Sequence, residues 1–364
     1  MRREEWFALA SVPEVSPRKA LRFAKMREAG EGLFNIKGKA WSEARLTEFE
    51  AEALVKEAGK KVDYIQPLMK MEENGIHMIT CEEPEYPEFL KNLAEPPIAL
   101  FVKGEMPREE ALVGMVGARA CSAYGRHYAE QIAGDLAAKG VGIVSGLAAG
   151  IDGASHEGAL QAKNGRTYAV LGCGVDVVYP PGNRRLYEEI PYRGGIISEF
   201  IPGTRPLSWN FPRRNRLISA FSDILLVLEA RKKSGSLITA GYALEQGKEV
   251  MALPGRVGEP LSEGCLELLR DGAGLLMSAD DVVMSLQQKG KLWNAAATEK
   301  EIGPEAELTA EEKAVLERLS FTPVHVDELC ETCGLSYPAL CAVLLQMELK
   351  GLVRQESGQH YVRK

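Results

Sequence analysis

Apolar residues recur at three- and four-residue spacing along "PRKALRFAKMREAG" and again along "EARLTEFEAEALVKEAGKKVDYIQPLMKMEENG", and both runs stop at glycine. That period is helical and glycine is a helix stop, so residues 1–75 are predicted to form a small helical domain. The pattern changes in "IHMITCEEPEYPEFLKNLAEPPIALFVKGEMP", where prolines separate two short strands and a turn of helix. Short continuous apolar runs follow: "ALVGMVG", "VGIVSG", "TYAVLGCG", "GGIISEF", "DILLVLEA" and "KEVMALPG", with helical stretches between most of them. Strands apolar on both faces and separated by helices predict a parallel sheet covered on both sides, an α/β doubly wound fold over residues 76–290. The acidic stretch "WNAAATEKEIGPEAELTAEE", poor in bulky apolar residues, is predicted to hold a linker at 291–308. Residues 309–364 then read helix, turn, helix, turn, helix and two short strands around Ser357 and Gly358, the order of a winged helix. Its third helix is predicted to end at Lys350 and Gly351, with "LVRQESGQHYVRK" as the wing.

Composition narrows this picture. A length of 364 residues suits two or three domains, and 45% hydrophobic with 26% charged residues excludes wholesale disorder. No stretch approaches the roughly 20 apolar residues of a membrane span, and "MRREEWFALASVPEVSPRK" lacks a signal-peptide core, so a cytoplasmic protein without membrane contact is expected. Seven cysteines, odd in number and scattered, suit reduced thiols. Cys330 and Cys333 form a lone CxxC; His325 and Cys341 are near, but "ELCETCGLSYPALCAVLLQMELKGL" reads as two helices with cysteines on their apolar faces, and no metal is expected.

The net charge is −7, yet Thr204 to Lys233 holds seven basic residues (Arg205, Arg213, Arg214, Arg216, Arg231, Lys232, Lys233) against Asp223 and Glu229. The alternative to a binding face is a merely solvated charge run. In open parallel sheets, ligands bind where loops leave the carboxyl ends of strands. The loop "VGARACSAYG" turns at Gly117 into a helix starting near Ser122, and Arg119 projects from the turn, suited to grip a phosphate with forked hydrogen bonds. "SGLAAGIDGASHEGAL" places Ser145, Gly146 and Gly150 before another helix; "LGCGVDVVYPPGNRRL" carries Gly172, Gly174, Asn183, Arg184 and Arg185. Cations and helix N-termini along one rim, with Trp209 and Phe211 beside them, meet the requirements of single-stranded nucleic-acid binding without sequence preference: charge follows the backbone and rings stack bases. Core packing is the competing role for both rings.

These blocks, with "SEFIPGTRPLSWNFPRRNRLISAFSDILLVLEA" and "SGSLITAGYALEQGKEVMALPG", resemble the signature segments of the DNA-processing protein A (DprA or Smf) family, in order over roughly residues 80–285. The resemblance implies an extended Rossmann core that binds and protects incoming single-stranded DNA, dimerises, and loads RecA recombinase during natural transformation. Carried over by motif, the DNA contacts would be Arg119, Ser122, Tyr124 and Gly125 of the first block, Gly146 and Gly150 of the second, and Trp209, Phe211, Arg213, Arg214, Asn215 and Arg216 of the fourth. Family members often carry an N-terminal helical domain of the SAM or helix-hairpin kind, but "SVPEVSPRKAL" lacks the hairpin glycine, and no DNA contact through residues 1–75 is expected. Leu266 stands where the family has asparagine in a Gly-x-Asn pattern.

Three rival readings each demand residues of their own. A dinucleotide enzyme would need GxGxxG and an acidic residue ending the second strand; "GARACSAYG" and Ser145–Gly146 provide neither, so no cofactor is expected. A nucleotide hydrolase of the phosphoribohydrolase kind would need PGGxGTxxE, which "PGRVGEP" only begins, and His127 and His156 read as surface or capping histidines without a nucleophile. Asp152 and Asp176 read as helix-capping or turn aspartates. A winged-helix duplex reader is the other rival, though "YPALCAVLLQMELKG" offers few side chains for base edges.

Overall fold

The computed structural model of the chain describes residues 1–25, 44–59, 64–108, 111–291, 308–320, 323–356 and 358–363. The expected extension of the first N-terminal helical run through 26–30, and all of the linker except its two end residues, lie outside them. Four N-terminal helices are described: α1 (Arg3–Ala10), α2 (Pro17–Lys25), α3 (Glu48–Gly59) and α4 (Ile65–Glu73). α1 was not expected, because its charged start hides the apolar Trp6, Phe7 and Leu9 that it buries. These residues and Phe23 share one apolar cluster with Ile98, Phe101 and Ile196, so the N-terminal helices pack directly on the edge of the sheet.

The sheet has nine strands in the order β1-β2-β6-β5-β4-β3-β7-β8-β9. β1 (Ile76–Thr80) and β2 (Ala99–Gly104) pair antiparallel, and β2 runs antiparallel to β6 (Gly194–Ser198). The seven strands from β3 to β9 are mutually parallel: β3 (Leu112–Val116), β4 (Gly142–Ser145), β5 (Thr167–Val170), β6, β7 (Ile224–Val227), β8 (Glu249–Ala252) and β9 (Gly274–Leu275). Side chains alternate across the pleat and are buried on both sides. Val113 and Met115 face α5 (Ala123–Ala138), α6 (Ile151–Gln161) and α11 (Ala279–Gln288). Leu112 and Val116 face α8 (Asn210–Phe221), α9 (Gly235–Glu245) and α10 (Glu263–Arg270). α7 (Arg184–Glu189) joins β5 to β6. This is the expected doubly wound, mostly parallel sheet.

Beyond the linker come α12 (Ala310–Arg318), β10 (Val324–His325), α13 (Val326–Cys333), α14 (Tyr337–Leu349), β11 (Val353–Glu356) and β12 (His360–Arg363). Three helices and the sheet β10-β12-β11 form a winged helix around Leu329, Leu340, Leu344 and Met347; Cys330, Cys333 and Cys341 pack on that core, as the sequence pattern predicted. Among the described residues no single helix is long and apolar enough to cross a membrane.

Strand order positions the site. From β3 the chain adds β4, β5 and β6 on one side, then crosses to add β7, β8 and β9 on the other. The order reverses between β3 and β7, and at such a switch point the loops leave in opposite directions and open a crevice.

Candidate nucleic-acid interface

A cavity of about 500 Å³ occupies that crevice, lined by the turn Gly117–Ala120 after β3, Asp152 at the start of α6, Phe211, Arg214 and Asn215 of α8, and Arg231, Ser234 and Gly235 ahead of α9. All four sequence-selected regions therefore converge, the third through Tyr179. The α9 N-terminus enters here: its first-turn amides have no carbonyl a turn earlier to accept them, so this end carries partial positive charge and takes up anions.

Arg119 is exposed, and its guanidinium carbon lies 5.1 Å from the centroid of the Phe211 ring. The guanidinium has no hydrogen-bond or ion-pair partner among the described residues. A cation laid on a ring uses one face and keeps its N–H edges for a ligand. Phe211 is half-buried, 5.5 Å from the Tyr179 ring, and rests on Gly172, where a Cβ would come within 2.8 Å of its Cδ1. The third loop thus contributes a floor for the ring, while Arg184 and Arg185 turn to Glu188 and Glu189.

Beneath the crevice Arg214 is buried, donating to the carbonyls of Gly146 (2.9 Å) and Val170 and, through Nε, to Asn215 Oδ1 (3.1 Å). Asn215 in turn donates to the Gly235 carbonyl at 3.3 Å, tying α8 to the start of α9. A Cβ on Gly146 would lie 2.6 Å from both Arg214 Nη2 and Asp152 Oδ2, so only glycine lets these groups approach. Burial pushes the Asp152 carboxyl up and the Arg214 guanidinium down to about 10, each offset in part by the other's charge. Asp152 accepts the Gly146 and Ala148 amides of the loop ahead of α6, which is the turn role of the two expected; the N-cap of α6 is Gly150, without a side-chain cap. Gly150, at φ +77°, passes against the Ala118 carbonyl, a close approach that glycine alone permits. Gly146 and Gly150 therefore shape the wall and do not face the cavity.

Other predicted contacts sit elsewhere. Arg216 is buried and binds Glu199 through two hydrogen bonds of 2.8 Å; Arg213 adds one at 3.1 Å and stays partly exposed over the Phe200 ring. Ser122 caps α5 by accepting the Gly125 amide at 3.1 Å, and donates from Oγ and N to the buried Glu229 at 2.5 and 2.9 Å. Tyr124 donates to the Pro254 carbonyl at 2.8 Å. Ser122 and Tyr124 border a separate cavity of about 550 Å³, so the first block contributes Arg119 to the crevice and the rest to holding its turn. Trp209 is 68% exposed at the N-cap of α8, which removes core packing as its role.

One expectation is corrected. His156 is neither a surface nor a capping residue but fully buried. Its Nδ1 lies 2.6 Å from Thr167 Oγ1, whose own proton goes to the Ile143 carbonyl at 3.0 Å; the ring therefore donates from Nδ1 and leaves Nε2 without a partner among the described residues. Burial, helped by the Arg214 charge, depresses its pKa to about 3. Sequence reasoning also missed the pairing roles of Glu199 and Glu229. Their signal was an acidic residue just past a fully apolar strand, in "IISEF" and "LLVLEA", where a carboxylate must find a donor.

The comparisons with known proteins agree with this architecture. Residues 77–287 match the family model "DNA recombination-mediator protein A", and 299–359 match the DprA winged helix domain. Protein Smf of Synechocystis is 33% identical over 394 aligned residues, covering 99% of this chain and 98% of that protein. The structure of DNA processing protein A from Streptococcus pneumoniae superposes with a TM-score of 0.68 at 32% identity, covering 78% of this chain and 98% of that one. The Helicobacter pylori protein, whose structure is described as revealing a single-stranded DNA binding mode, matches with a TM-score of 0.53 at 31% identity over 58% of this chain and 97% of its own. On the extent of these matches, the chain belongs to the DNA recombination-mediator protein A family.

Proposed function

We propose that this protein binds single-stranded DNA without sequence preference through the switch-point crevice, as a non-catalytic mediator that passes the strand to RecA recombinase during DNA uptake in the cytoplasm. The observation that carries the binding step is the Arg119–Phe211 stack: an exposed guanidinium with free N–H edges, laid on a half-buried ring, opposite the α9 N-terminus and Arg231. Guanidinium edges and helix amides that take backbone phosphates carry no sequence information, and a ring face stacks any base, so affinity should not depend on sequence. The Helicobacter relative supports the strand type. Transfer to RecA rests on the family resemblance, and co-purification of the two proteins tests it. Self-association is supported by exposed Leu275, Met277 and Met284 at the β9 edge of the sheet, and sedimentation of the protein tests it.

Anisotropy titration of oligo-dT against the intact protein and Arg119→Ala tests the crevice. Loss of one phosphate contact should weaken binding and flatten the slope of log K against log salt by about 0.7. Unchanged affinity and slope would remove Arg119 from the interface. Equal affinity for duplex competitor would favour the winged helix as the reader, and turnover of a nucleotide would favour a hydrolase.

A further inference from the structure

Arg18, Arg22 and Lys25 stand four and three residues apart on α2, and therefore share one face of that helix. The opposite face buries Ala20 and Phe23 in the core. Lys19 is turned to Glu50, 2.7 Å away, but Arg18, Arg22 and Lys25 have no side-chain ion pair among the described residues. Their face borders a cleft of about 450 Å³ whose other side is Lys91 and the segment Asn92–Ala94 with Pro96. The described lining holds four cations and no carboxylate, in a chain of net charge −7. Among the described residues Lys91 is the one of the four that is paired, with Glu88 at 2.7 Å, and both partners are well exposed. Like charges along one helix face repel, so the arrangement is not explained by helix stability.

Glu95 connects this cleft to the first site. Its carboxylate accepts the Arg18 amide at 3.2 Å at the start of α2, while its carbonyl accepts Arg216 Nε at 3.1 Å from α8, the helix that carries Phe211 and Arg213. The cationic face and the crevice are thus held by two ends of one residue. From Arg18 to Lys25 the helix rises about 10 Å, more than a single phosphate spans, which selects a polyanion over a free phosphate. Among the described residues no aromatic ring lines the cleft, so it would grip a backbone and leave the bases unstacked.

We propose that the α2 cleft is a second phosphate-binding site, which takes the sugar–phosphate backbone of the single strand as it leaves the crevice past Arg213. It rests on the single-strand reading above and extends it to a face where the sequence pattern predicted no DNA contact.

The test is a triple variant of the full chain, Arg18→Ala with Arg22→Ala and Lys25→Ala. Alanine maintains the helix, and the Arg18 amide to Glu95 survives the change. Binding is measured by anisotropy with oligo-dT of about 6 nucleotides, enough for the crevice alone, and of about 25, enough for both sites. For the long strand, three lost contacts should lower the salt slope by about 2 and the affinity roughly 10- to 100-fold at about 0.1 M salt, with the short strand unchanged. An unaltered slope and affinity for the long strand overturns the inference and leaves the cations to another polyanion, such as an acidic protein segment. Equal loss on both strands also overturns it, because the effect would then be a general one. Arg119→Ala, run alongside, should weaken both lengths; if it weakens neither, the crevice reading fails by itself.

Discussion

Arg216 lies in the most cationic stretch of the chain and yet should be a stability residue. Its guanidinium meets Glu199 through two hydrogen bonds of 2.8 Å, with side chains only 7% and 2% exposed. Its Nε is taken by the Glu95 carbonyl at 3.1 Å, which leaves no edge for a phosphate. Arg216→Ala strands a buried carboxylate with Arg213 as its remaining partner, at 3.1 Å but 38% exposed and screened by water. Breaking a buried pair in this way costs about 3–5 kcal/mol. At about 2–4 °C per kcal/mol for a domain of this size, the melting temperature should fall by roughly 6–20 °C. Urea unfolding and a thermal melt measure the loss, while oligo-dT titration well below the transition should return an affinity within about twofold of the parent. Replacing both partners, Glu199→Gln with Arg216→Met, removes the stranded charge and should recover most of the stability. The reasoning is refuted if Arg216→Ala melts within about 0.5 kcal/mol of the parent, the range of an ordinary surface change, while its DNA affinity drops tenfold.

Trp209→Ala, at a ring 68% exposed, should leave the melting temperature unchanged, whereas Phe211→Ala should lower it by removing a half-buried ring from Gly172 and Tyr179. If either ring stacks a base, its loss should weaken oligo-dT binding by about 1–3 kcal/mol; normal affinity in both would remove both rings from the interface and leave only Phe211 with a packing role. His156 makes stability pH-dependent. Its folded pKa of about 3 lies below the unfolded value, so the unfolded chain takes up a proton that the folded chain refuses, and stability falls as pH drops. The contribution is intact above the unfolded pKa of roughly 6.5 and declines by about 2 kcal/mol on reaching about pH 5. His156→Gln, which keeps an N–H for Thr167 and cannot titrate, should remove that part of the acid sensitivity; identical pH profiles would show that His156 is not its source.

Strands β3 to β8 were legible because each is buried on both faces, and a continuous apolar run has few other uses in a soluble domain. β9 and β10 are two residues each, too short to carry any period, and were missed for that reason. The crevice was legible as a set of loops, since the rule that ligands sit beyond the carboxyl ends of parallel strands needs only strand positions. Which cations face it was not, because pairing depends on carboxylates distant in the chain: Glu199 lies 14 and 17 residues before its two arginines, and Asp152 reaches Arg214 from another loop altogether.

A count of arginines therefore overstates an interface in a predictable direction. A buried guanidinium must have its donors satisfied within the fold, so Arg214 and Arg216, the best-held members of the cluster, are the least able to reach a phosphate. Arg119 and Arg231 sit on the same rim, exposed and with no carboxylate in hydrogen-bond or ion-pair contact among the described residues, so their N–H edges stay available. The same criterion separates Lys19 from Arg18, Arg22 and Lys25 on α2, where the sequence showed only an amphipathic helix. Pairing alone does not decide the matter; cations that the fold leaves without an ion pair and gathers on one face beside a cleft mark where a polyanion from outside would lie.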